Sequence, residues 1–90
     1  MSFLDPYRED DLVRAVWNKG EIALLYDANE WRKDAFGYWI QFSQYGNRHS
    51  EYGWEIDHII PQSQGGSDDL SNLRPLYWRA NVTRGDLSFF

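Results

Sequence analysis

Hydrophobic positions along the chain fall into three successive patterns. Leu12, Val13, Val16 and Trp17 recur at helical spacing and make one apolar face. Asp5-Pro6 supplies a capping carboxylate and a first-turn proline for that helix, Glu9, Asp10 and Asp11 suit its positive end, and Gly20 is a fair stop. Ile22 to Tyr26 is a short apolar run with no clear period. Trp31 to Asp34 followed by Gly37 reads as a hairpin turn region. Phe36, Tyr38, Ile40 and Phe42 then alternate as in a strand, which turns Trp39 to the opposite side. Turn chemistry at Tyr45-Gly46-Asn47 closes the strand, and a polar, exposed Arg48-His49-Ser50-Glu51 stretch follows.

The third pattern starts at Trp54. Residues 54–60 have strand character, broken by Pro61. Period two puts Trp54, Ile56 and His58 on one face and Glu55, Asp57 and Ile59 on the other. Asp57 and His58 therefore point apart. They can serve two sides of one phosphate, helped by a twist or bulge at the strand end. A glycine-containing loop spans 62–69. Leu73 and Leu76 anchor a second extended segment, and Tyr77 to Thr83 reads as a short helix ended by Gly85. The expected fold class is α+β: a ββα unit in the C-terminal half (51–86), preceded by a helix and a β-hairpin (1–50), all within a single domain spanning 1–90.

Ninety residues bury a modest core, and cysteine is absent, so neither disulfides nor a cysteine-held zinc can reinforce it. Five Trp, six Tyr and five Phe are the natural substitute, because each buries a large apolar area. The missing cysteines and the lack of a signal-like or membrane-length apolar stretch fit a cytoplasmic protein with no membrane partner. The formal net charge of −5 argues against gripping nucleic acid by bulk electrostatics. Distribution matters more than the total. Arg74, Arg79 and Arg84 lie in a stretch from Leu70 to Gly85 that holds no acid. Arg32, Lys33, Arg48 and His49 are read as solvated surface charges rather than DNA contacts. Arg74 is read as packing or pairing locally.

The stretch WEIDHIIPQSQGGSDDLSNLRPLYWRANVTRGD, residues 54–86, carries the chemistry. It contains D-H at Asp57-His58, G-G at Gly65-Gly66, N-L-x-P-L from Asn72 to Leu76 and N-x-x-[KR]-G-D from Asn81 to Asp86. Hydrolysis of a phosphodiester needs an in-line nucleophile and neutralisation of developing charge. Histidine titrates closest to neutral pH and can activate a water. Asp and Asn offer hard oxygen ligands that suit Mg²⁺ or Mn²⁺.

In order and spacing these pieces resemble the HNH endonuclease family, whose ββα-metal fold cradles one divalent cation. The resemblance covers about a third of the chain, and the segment Trp31 to Asn47 is more loosely similar to sequences that precede the motif in small bacterial and phage members. It implies a divalent-metal-dependent DNA hydrolase whose products carry 5′-phosphate and 3′-hydroxyl ends. It implies His58 as general base, Asp57 and Asn81 as metal ligands, and Asn72 as the residue that braces the loop and orients His58. It also implies Arg84 as a holder of the substrate phosphate, for which Arg79 is a second candidate. The constellation is thus H-N-N, with Asn81 where histidine often stands, and one ion is expected: Mg²⁺ or Mn²⁺, with Ni²⁺ and Zn²⁺ also compatible. No separate reading domain is visible, so weak sequence specificity is expected unless a protein partner supplies it. The alternative is a catalytically silent HNH-fold module that binds DNA or protein; a small immunity-like partner of a nuclease is a third reading.

Overall fold

The computed structural model describes residues 9–88, with side chains through Thr83. The Asp5-Pro6 cap lies outside these residues. Helix α1 covers Glu9–Trp17, and its apolar stripe places Val13, Val16 and Trp17 in the core. The helix stops where Gly20 N donates to Trp17 O at 2.9 Å. Three short strands follow, β1 (Glu21–Ile22), β2 (Trp31–Lys33) and β3 (Trp39–Gln41), paired antiparallel in chain order. The expected hairpin is thus β2–β3, extended by β1 from the ambiguous apolar run.

The alternation expected from Phe36 to Phe42 holds only over β3. Ile40 is fully buried, but Phe36 and Tyr38 are about half exposed. The cause is Asp34, which is buried: its Oδ1 accepts the N–H groups of Phe36 and Tyr38, each at 2.9 Å. These amides serve a side-chain-nucleated turn rather than a ladder. The other oxygen, Oδ2, accepts the N–H of Tyr77 at 2.9 Å. One carboxylate therefore ties the β2–β3 turn to the far half of the chain. Trp39 finds its cover in Tyr26, whose ring centre lies 4.9 Å away, and in the edge of Trp31.

The second half is a ββα unit. Strand β4 (Trp54–His58) pairs antiparallel with β5 (Leu73–Tyr77) in unbroken register from Trp54↔Tyr77 to His58↔Leu73. No bulge re-aims Asp57 or His58. Helix α2 (Trp78–Ser88) follows β5 without a loop, and Trp78 N donates to Gly53 O. It runs past Gly85, the expected stop; an interior glycine costs a helix about 1 kcal/mol and does not by itself end it.

The two halves share one core in which Trp17 and Trp54, ring centres 5.2 Å apart, are both fully buried. Phe42 and Tyr45 pack against it beside Ile40 and Leu73. Three indole N–H groups reach backbone carbonyls: Trp17 to Ala28, Trp54 to Phe42 and Trp78 to Ser50. Large apolar rings are thus buried without leaving their polar atoms unpaired. Lys19, just past α1, donates to the carbonyls of Leu70 and Leu73 and fastens the entry to β5. Arg32, read from the sequence as a surface charge, is buried. It donates to the carbonyls of Ala28, Asn18 and Gly20. Burial, then the charge of Arg14, holds its pKa below the usual guanidinium value.

Candidate active site

Strand β4 delivers Asp57 and His58 to opposite faces, as period two requires. Asp57 is buried at 5% exposure, and its Oδ2 accepts from Arg74 Nε at 2.8 Å. Arg74 stands directly opposite it in the ladder, so the local pairing read from the sequence is an ion pair with Asp57 itself. The His58 imidazole stays out of the core, with 26% of its side chain exposed, and its Nε2 lies 2.7 Å from Asp68 Oδ1. That hydrogen bond is the main reason Asp68 titrates below the usual aspartate range. Asp68 was not singled out from the sequence. Its place in a polar Ser-Asp-Asp run gave no sign that the loop folds it back onto β4.

The loop between the strands is held by Asn72. Its Nδ2 donates to the carbonyls of Ile60 (3.0 Å) and Ser67 (2.8 Å), and its Oδ1 accepts from Ile60 N at 2.8 Å. Its backbone carbonyl accepts from Ile59 N at 2.8 Å. The amide thus fixes both ends of the loop that starts immediately after His58. The glycine pair makes this possible. Gly65 takes a left-handed φ of 87°, and a Cβ at Gly66 would lie 1.7 Å from the Ile60 carbonyl oxygen.

Asn81, in the second turn of α2, donates Nδ2 to Glu55 Oε1 at 2.9 Å. Glu55 is two residues before Asp57 and shares its strand face. Arg48 grips Glu55 on both oxygens, Nε to Oε2 at 2.6 Å and Nη2 to Oε1 at 2.9 Å. Those bonds, led by Arg48, pull the Glu55 pKa below its ordinary value against the opposing effect of burial. The sequence reading took Arg48 as solvated and gave Glu55 no role. Asp57 and Asn81 lie on elements that pack together, β4 and α2; Asp57 accepts from Arg74, and Asn81 donates to Glu55. Arg79 is exposed, with its guanidinium carbon 5.1 Å from the Trp78 ring centre. The side chain of Arg84 lies outside the described residues.

The donor set suits a hard divalent ion. No group of three or more His, Cys, Asp or Glu that could hold a metal occurs among the described residues. A carboxylate and an amide oxygen, as Asp57 and Asn81 carry, are hard donors of the kind Mg²⁺ takes. Asn81 Oδ1 accepts no hydrogen bond among the described residues. Arg74 already supplies Asp57 with positive charge.

The model of the HNH endonuclease family matches residues 43–87, half of the chain. The chain belongs to the HNH endonuclease family. The match covers β4, the Asn72 loop, β5 and nearly all of α2, the elements that carry the site. A segment of 36 residues, 40% of the chain, is 53% identical to a protein of Enterobacteria phage T4 named "Probable mobile endonuclease C". It spans 17% of that phage protein's length. No solved structure matches the chain.

Proposed function

We propose that this chain is a divalent-metal-dependent HNH endonuclease that hydrolyses DNA phosphodiester bonds. The observation that carries the reading is the placement of His58. It stands at the end of β4, partly exposed, on the strand that bears Asp57, and beside a loop pinned by Asn72. A general base needs that combination of access and fixed position.

In this reading His58 removes a proton from the attacking water as its oxygen bonds to phosphorus. The bond from phosphorus to the 3′ oxygen breaks, and that oxygen takes a proton from solvent, leaving 5′-phosphate and 3′-hydroxyl ends. Asp68 steadies the imidazolium that forms. Asn72 acts through the backbone, by holding the loop that begins after His58. Asp57 and Asn81 would hold the ion, Mg²⁺ or Mn²⁺ by the chemistry of the set. When bound, the ion supplies Lewis-acid stabilisation of phosphoryl and departing oxygens. Arg84, with Arg79 second, would steady the phosphate. The net charge of −5 gives little bulk electrostatic attraction, so DNA binding is weak without a partner.

Nicking of supercoiled plasmid DNA, with Mg²⁺ or Mn²⁺ and with EDTA, tests the reading. Wild-type protein nicks only with metal, and His58→Ala lowers the rate by about 10²- to 10⁴-fold. Cleavage at the wild-type rate in EDTA or in His58→Ala overturns it.

A further inference from the structure

An asparagine serves as an oxygen donor only when its amide faces the right way. The two ends of a primary amide are nearly equal in size, so packing alone does not choose between them. At Asn81 the choice belongs to Glu55. Arg48 occupies both Glu55 oxygens, so the side chain is a carboxylate with nothing to donate. Reversing the amide would put Asn81 Oδ1 against Glu55 Oε1 at the 2.9 Å now spanned by a hydrogen bond. Two lone-pair oxygens at that distance repel, and one of them carries charge. The nitrogen is therefore fixed toward β4, and the oxygen is turned away from Glu55.

We infer that Glu55 is a positioning residue: it sets the amide of Asn81 so that Oδ1 is presented as a ligand, with Arg48 as the clamp. This rests on the metal-dependent reading above. It also explains why an acid is useful on that strand face without touching the ion. A side chain offering only donors there would select the wrong orientation. Outer partners of this kind typically alter metal affinity by about 10- to 100-fold when removed.

The test is Mn²⁺ titration calorimetry on the full chain without DNA, combined with NMR of the Asn81 side-chain amide. In metal-free wild-type protein one Asn81 amide proton resonates downfield and exchanges slowly. Glu55→Ala moves it to the position of a solvated amide and weakens Mn²⁺ binding about 10-fold or more. Glu55→Gln keeps one oxygen for Asn81 while the 55%-exposed Arg48 side chain gives way, so affinity stays within about threefold. A folded Glu55→Ala protein that binds Mn²⁺ like wild type overturns the role. So does a wild-type Asn81 amide with the shift and exchange of a solvated one, a result that needs no variant. Equal loss in both variants overturns it in favour of direct ligation by Glu55. Normal wild-type binding with an indifferent Glu55→Ala removes this role alone, whereas wild-type protein that binds no Mn²⁺ removes the metal reading and this role with it.

Discussion

Arg74 and Asp57 are directly opposed across the β4–β5 ladder, and the guanidinium of one donates to the carboxylate of the other at 2.8 Å. The pair has a positive charge in place before any cation arrives. Arg74→Ala leaves a buried carboxylate with one charged partner fewer, at a cost of about 2–3 kcal/mol in metal-free urea denaturation. Saturating Mn²⁺ returns part of that loss, so the melting point of the variant rises more on metal addition than that of wild type. Equal upshifts in the two proteins would show that Arg74 and the ion do not compete for Asp57.

The Asn72 amide makes three hydrogen bonds to loop backbone. Asn72→Ala removes all three, a loss of about 2–4 kcal/mol, and hydrogen exchange at Ile60 N accelerates. Asn72→Asp fares no better, because it sets a carboxylate oxygen against the carbonyls of Ile60 and Ser67. Both variants lose nuclease activity through the loop. A fully stable, fully protected Asn72→Asp protein would refute this.

Two adjacent glycines differ in what an added methyl group meets. Gly65 has a left-handed φ but open space around it, so Gly65→Ala costs about 1 kcal/mol. At Gly66 the new carbon would collide with the Ile60 carbonyl, and Gly66→Ala costs about 3 kcal/mol or more. Thermal melts of the two variants check the order. A reversed order would mean that the loop does not close on Ile60.

Tyr45 packs on Trp54, ring centres 4.8 Å apart. Burial raises its pKa above 10.0, and the charges of Glu9 and Glu55 add to the shift. A raised folded-state pKa adds stability that is complete below the unfolded value and lost as pH rises through the folded one. Tyr45→Phe should therefore flatten the fall in stability as pH rises through and above the unfolded tyrosine value of 10.0, while other tyrosines keep their share. Parallel curves for the two proteins would count against burial as the cause.

What the sequence revealed, and what it hid, divides by distance along the chain. The Asn72 brace joins groups 12 and 5 residues away, within a strand–loop–strand whose period and turn residues are local signals. The α1 stripe was visible for the same reason. Asp34 was not, because one of its partners is Tyr77, 43 residues on, and nothing near Asp34 announces it. Its effect on the neighbouring turn shortened a strand that alternation alone drew too long. Arg32 looked solvated because a cation beside polar neighbours carries no sign of three converging carbonyls. Glu55 and Asp68 were hidden by folding too: Glu55 meets Arg48 and Asn81 only when the chain brings them to β4, and Asp68 meets His58 only when its loop folds back onto that strand.

The Asp34 carboxylate also defines what could be transplanted. The family match begins at residue 43, yet a strand inside it donates a hydrogen bond to a side chain nine positions before that boundary. A graft cut at the match would sever that clasp and strip Trp54 of Trp17. The smallest portable cassette therefore reaches back through α1, and its HNH half is an inseparable part of the scaffold rather than an insert resting on it.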